Sequence, residues 1–156
     1  MNATILLLNP KYPRNVGAVV RAAACFGIPE VMMTGDRVPL QPSPGYRLPR
    51  EERMKSYEVF LDRLLTPRPL EVYKADVIPV AVEFDPSAEY LTYFEHPERA
   101  VYVFGPEDGG IPPGIRRNCH RHLHIPTRHC LNLAAAVYVV LWDRYLKEAQ
   151  ADCVLF

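Results

Sequence analysis

The hydrophobic positions in the first part of the chain change period twice. Residues 3–9, ATILLLN, are a continuous apolar run, the pattern of a strand buried on both faces of a parallel sheet. NVGAVVRAAACFG follows with Ala, Val and Phe at helical spacing and Gly27 as a stop signal. EVMMTG, residues 30–35, returns to a strand pattern. Strand, helix and strand in so short a space predict a βαβ unit. Further on, SYEVFLDRLLT (56–66) predicts a helix, DVIPVAVEF (76–84) a strand and YLTYFEHP a short helix. AVYVFGPEDGG (100–110) predicts an apolar strand running into a glycine-rich loop. IPPGIRRN reads as a short helix with proline in its first turn, and HRHLHIP (120–126) as an alternating strand. LNLAAAVYVVLWDRYLKEAQ (131–150) carries the strongest helical pattern.

Alternating strands and helices, with no repeat and no low-complexity tract, predict one α/β domain over residues 1–156 with a mainly parallel sheet flanked by helices. Ligands of such sheets bind outside the carboxyl ends of the strands. The loops after Leu8, Phe104 and Ile125 are therefore expected to meet. In the first loop Asn15 is placed to cap the helix and Gly17 allows close backbone approach. Arg21 shares a helix face with Gly17, Val20 and Ala24, and an arginine beside small residues points to an anion or an acceptor. In the second loop Gly105, Gly109 and Gly110 bend the chain, with Glu107 and Asp108 at the crest. In the third, Asn132 reads as a polar residue serving the first free N–H groups of the long helix. Cys130 has the helix-start setting of an activated thiol, but no base partner can be named for it.

Composition narrows the classes. At 156 residues, 49% hydrophobic and 23% charged, the chain fits a globular domain with a sizeable core. Its 18 basic and 18 acidic side chains cancel, so any attraction to nucleic acid must be local. Two local basic clusters stand out: Arg37, Arg47, Arg50, Arg53 and Lys55 in a long polar segment, and Arg116, Arg117, Arg121 and Arg128 among His120, His122 and His124. The Cys and His spacing does not match structural zinc sites, and no metal is expected. Cys25 and Cys153 sit in apolar contexts and read as packing residues. No apolar run reaches bilayer length and MNATILLLNP is too short for a secretory leader, so no membrane association and a cytoplasmic location are expected.

NPKYPRNVGAVVRAAACFG, VFGPEDGGIPPGI and IPTRHCLNLAAAVYVVLWD occur in this order, each after a predicted strand. They resemble the three motifs of the SPOUT superfamily of RNA methyltransferases, in its TrmH-like ribose 2′-O-methylating branch. Asn15 and Arg21 stand at the signature positions of the first motif, Glu107 of the second and Asn132 of the third. The resemblance covers nearly the whole chain. It implies a deep C-terminal trefoil knot, with knot and cofactor site at roughly 76–150. It implies S-adenosylmethionine as cofactor, S-adenosylhomocysteine as product, and Val80, Ala81, Gly105, Ile125, Cys130 and Leu131 against the cofactor. It implies a homodimer whose active site draws on both subunits, with Arg21, Asn15, Glu107 and Asn132 as the catalytic set and Arg47, Arg50 and Arg53 along the RNA. The chain's small size is similar to the compact members that methylate the tRNA wobble ribose. A ribosomal-RNA 2′-O-methyltransferase and a non-catalytic RNA-binding module on the same fold are the alternatives. Where the family usually has serine this chain has Cys130, a weaker hydrogen-bond donor. A Rossmann-type nucleotide enzyme would need G-x-G-x-x-G after the first strand, which NPKYPRNVG does not supply.

Overall fold

A computed structural model describes residues 1–40 and 59–153. Its strands are β1 (Ala3–Leu7), β2 (Glu30–Met33), β3 (Phe60–Arg63), β4 (Ile78–Val82), β5 (Glu89–Tyr90), β6 (Ala100–Phe104) and β7 (Arg121–His124). The helices are α1 (Pro13–Cys25), the single turn α2 (Pro113–Arg116) and α3 (Leu133–Cys153). The strands form one sheet in the order β3-β2-β1-β6-β4-β7-β5, and all six pairings are parallel.

The unbroken apolar runs follow from this arrangement, because both faces of the central strands are covered. Ile5, Leu7, Tyr102, Phe104, Val80 and Val82 face a core shared with α1 and α3. Their neighbours Leu6, Leu8, Val101, Val103 and Ala81 pack on the other face against Ile111 and Cys119. The end of α1 is set by local chemistry. Gly27 has φ +67°, its N–H donates to Ala24 O at 3.3 Å, and Ile28 N–H donates to Ala23 O at 2.8 Å. That pair of bonds closes the helix, and a glycine takes the left-handed position without strain.

Four expectations are corrected. The segment expected to be helical at 56–66 contributes β3, whose residues pair in parallel with β2; residues 56–58 lie outside the described ones. The Arg63 guanidinium donates to the carbonyls of Gly35 and Val38, so β3 is held by the neighbouring loop as well as by β2. The short helix expected over 90–97 is confined to a 3-10 turn, Leu91–Tyr93, after the strand end Glu89–Tyr90. Cys25 is exposed at the last turn of α1, and the Cys153 side chain lies outside the described residues. The second basic cluster is not a basic surface throughout. Arg121 is paired bidentately with Glu89 at 2.6 Å, Arg116 bridges Glu83 and Asp85, and His124 is only 4% exposed.

Candidate active site

The second and third loops meet at the carboxyl ends of β4, β6 and β7, and the first, which follows β1, joins them through the Asn15 side chain. A cavity of about 480 Å³ opens there, within the range of small-ligand sites. Phe84, Ile125, Leu131 and Leu133 supply apolar walls, and Gly105, Gly109 and Gly110 supply exposed backbone. Gly105 is sterically required: a Cβ there would lie 2.8 Å from the Gly110 carbonyl carbon and 2.9 Å from Ile111 N.

A relay of side chains ties the loops together beside this cavity. Asn132 is the N-cap of α3, its Oδ1 accepting from the N–H groups of Ala134 at 2.9 Å and Ala135 at 3.3 Å. Its Nδ2 donates to Asn15 Oδ1 at 3.2 Å, and Asn15 Nδ2 donates to Glu107 Oε1 at 2.8 Å. Glu107 also accepts from the backbone N–H of Lys11 at 2.7 Å and of Tyr12 at 3.4 Å. Asn15 does not cap α1. Tyr12 is the N-cap, and Asn15 lies inside the first turn at 6% exposure, where its side chain has turned to the second loop. A buried amide needs partners for both its ends, and Glu107 and Asn132 provide them.

Burial alone would raise the Glu107 carboxyl. The bonds from Asn15, Lys11 and Tyr12 outweigh that and hold it below its ordinary value of 4.5. A carboxylate with a lowered folded pKa contributes stability above its unfolded value, and the contribution disappears as pH falls through the folded value. Glu107→Gln should therefore cost about 1 kcal/mol near neutral pH. It should also flatten the acid limb of a stability–pH curve below pH 4.5, measured by urea unfolding. An unchanged acid limb would contradict this account.

Of the expected cofactor residues, Gly105, Ile125, Cys130 and Leu131 line the cavity. Val80 and Ala81 do not. They are buried inside β4, and the wall begins two residues later with Val82, Glu83 and Phe84. Glu83 was missed. Its Oε1 accepts from Ile111 N–H and its Oε2 lies 3.1 Å from Arg116, so it pins the glycine-rich loop from below. The signal was its place at the carboxyl end of an apolar strand. Thr127 is a second missed lining residue. Arg21 is half-buried on α1 and does not line the cavity. Arg47, Arg50 and Arg53 lie outside the described residues. Among the described residues there is no group of three His, Cys, Asp or Glu side chains placed to hold a metal, and no helix long and apolar enough to cross a membrane.

The SpoU rRNA methylase family matches over residues 2–142. The chain belongs to this family. It is 26% identical to the tRNA (cytidine-2′-O-)-methyltransferase TrmJ of Methanocaldococcus jannaschii over 94% of this chain and 69% of TrmJ. A solved structure concerned with 2-OH methylation of C/U34 on tRNA superposes with TM-score 0.79 and 25% identity, covering 95% of this chain and 97% of the other. AviRb of Streptomyces viridochromogenes, a SpoU methyltransferase solved in complex with AdoMet, superposes with TM-score 0.74 at 18% identity over 94% of this chain. The chain spans between 56% and 61% of the length of AviRb and several other structural neighbours. The sheet order and flanking helices are thus those of the SPOUT, TrmH-like RNA methyltransferases.

Proposed function

We propose that this SpoU-family protein is an S-adenosylmethionine-dependent RNA methyltransferase acting on a ribose 2′-hydroxyl of tRNA, at the anticodon wobble nucleotide. The observation that carries this is the relay Asn132–Asn15–Glu107 at the edge of a glycine-walled cavity, since it unites the three motif loops at one point. TrmJ, whose name specifies tRNA and the 2′-oxygen, and the neighbour concerned with C/U34 support the choice of substrate.

The cavity's residues fit S-adenosylmethionine. Its apolar walls suit an adenine ring, the backbone of Gly105 and Leu131 lies at the wall for hydrogen bonds to the ring edge, and the carboxylate of Glu107 suits a cationic ligand. When bound, the cofactor supplies an electrophilic methyl group. The chain's own residues do the rest. The relay fixes the loops before substrate arrives, which lowers the ordering cost of binding. Arg21 stabilises negative charge developing on the 2′-oxygen and clamps the adjacent phosphate; a guanidinium stays protonated at neutral pH and is a poor general base. Because Arg21 does not line the cavity, we place it against the site of a second subunit. Support for a homodimer comes from the cluster of Phe26, Tyr138, Trp142 and Tyr145, with Trp142 and Tyr145 about half exposed beside exposed Val139 and Leu146. We also assign one domain to residues 1–156, a C-terminal trefoil knot within roughly 76–150, RNA contacts to Arg47, Arg50 and Arg53, and a cytoplasmic location.

The test is calorimetric titration with S-adenosylmethionine and S-adenosylhomocysteine, followed by nucleoside mass spectrometry of tRNA incubated with the protein. Micromolar binding, about 8 kcal/mol, and a 2′-O-methylnucleoside are expected. Gly105→Ala should weaken cofactor binding at least tenfold, because its Cβ would collide with the backbone of Gly110 and Ile111. Absence of both binding and methylation, with RNA present, would overturn the reading. It would favour a non-catalytic RNA-binding module, to which Cys130 at the cavity wall would then point.

A further inference from the structure

Lys11, Tyr12, Pro13 and Arg14 form four consecutive exposed residues at the start of α1. Tyr12 is 40% exposed, belongs to neither core cluster and makes no side-chain cap hydrogen bond. Its backbone is nevertheless held firmly. Its N–H and that of Lys11 donate to Glu107, and its carbonyl accepts from Asn15 N–H at 3.0 Å and Val16 N–H at 3.3 Å. Lys11 Nζ lies 5.3 Å and Arg14 Cζ 5.5 Å from the ring centroid. Both lie over the ring within the roughly 6 Å reach of a cation–π contact, so an arriving base would share the ring with them or displace one. Among the described residues Tyr12 is the one exposed ring with cations over it, and it has two. An exposed aromatic on a rigid stem between two cations matches the chemistry that takes single-stranded nucleic acid: a π-face for a base and positive charge for its phosphates.

We propose that Tyr12 is the stacking platform for an unpaired nucleobase next to the nucleotide being methylated, with Lys11 and Arg14 on the flanking phosphates. This rests on the RNA-methyltransferase reading above. Glu107 joins the platform to the site directly, because one carboxylate holds both the Tyr12 backbone and the Asn15 side chain. Tyr12 is thus a positioning residue: it selects an unpaired stretch and sets the register of the neighbouring ribose. Stacking tolerates any base, so the platform favours loop RNA over a duplex without reading sequence.

The experiment uses the full chain and an anticodon stem–loop RNA carrying 2-aminopurine beside the target nucleotide. Tyr12→Ala should weaken RNA binding roughly 10- to 100-fold and abolish quenching of the 2-aminopurine, while Tyr12→Phe restores both. In turnover the loss should fall on KM for RNA, not on kcat. Lys11→Ala should lower the slope of log affinity against log salt by about one. S-adenosylmethionine titration of each variant reports an intact fold and cofactor site. Wild-type binding with Tyr12→Ala indistinguishable in affinity and quenching would overturn the stacking role alone. A wild-type protein that binds no RNA would overturn the enzyme reading and this role together.

Discussion

Replacing Arg21 by alanine should lower the rate of methyl transfer by about 10²–10³-fold while leaving S-adenosylmethionine affinity unchanged, because the two depend on different parts of the molecule. The cavity is built from the ends of β4, β6 and β7 and the start of α3, and Arg21 is not among its walls. On the proposed mechanism Arg21 contributes charge at the acceptor. The 2′-hydroxyl is a weak nucleophile until its proton leaves, and a fixed guanidinium lowers the cost of the oxyanion that forms. Its helix face explains how such a residue is tolerated in an apolar run. Gly17 and Ala24 on that face are half-buried, as Arg21 is, so the face lies at the border of the core and not inside it. Arg21→Lys should retain part of the activity, keeping the charge but losing the planar fork. The measurement is a single-turnover rate on tRNA with cofactor binding checked by calorimetry. A rate within about threefold of wild type in the alanine variant would remove Arg21 from the mechanism.

Two of the strands that carry the motif loops, β1 and β6, were readable as uninterrupted apolar runs, which only a strand covered on both faces needs, and β7 was readable by its alternation. Asn132 as a helix-start residue and Gly27 as a helix stop were equally readable, since caps are local chemistry. What failed was non-local. Phe60–Arg63 has the composition of a helical segment, and its strand state comes from pairing with β2 and from Arg63 reaching the carbonyls of Gly35 and Val38. The offset of two residues at β4, from Val80 and Ala81 to Val82 and Glu83, reflects where the sheet register ends, which no periodicity reports. Asn15 looked like a cap by its distance from the helix start. Its partner Glu107 lies 92 residues away, and only the folded sheet brings the two within reach. Tyr12 stood inside the first motif unremarked, because exposure cannot be read from a tyrosine between prolines.

Arg144→Met should cost about 3 kcal/mol, whereas Glu148→Ala, which removes its ion-pair partner, should cost less than about 1 kcal/mol. Arg144 is only 2% exposed, inside α3. Its guanidinium donates to the carbonyls of Pro97 and Glu98, each at 2.9 Å, and to the Tyr102 hydroxyl at 3.0 Å. That hydroxyl lies 2.5 Å from His96 Nδ1, and burial pushes the phenol up to about 12, so it remains protonated. Methionine fills much of the volume but strands all three acceptors, at about 1 kcal/mol each. Glu148 is different: its side chain is 42% exposed, so water replaces Arg144 when the pair is broken, and the arginine keeps its three other bonds. At 2–4 °C per kcal/mol for a chain of this size, Arg144→Met should lower Tm by roughly 6–12 °C and Glu148→Ala by only a few degrees. Scanning calorimetry of both variants decides the matter. Equal losses would mean that the ion pair, not the buried acceptors, holds α3 to the loop before β6. α3 is the helix whose N-cap, Asn132, closes the relay to Asn15 and Glu107. Loosening its far end should therefore narrow the temperature range of methyl transfer while leaving the rate at low temperature near that of the wild type.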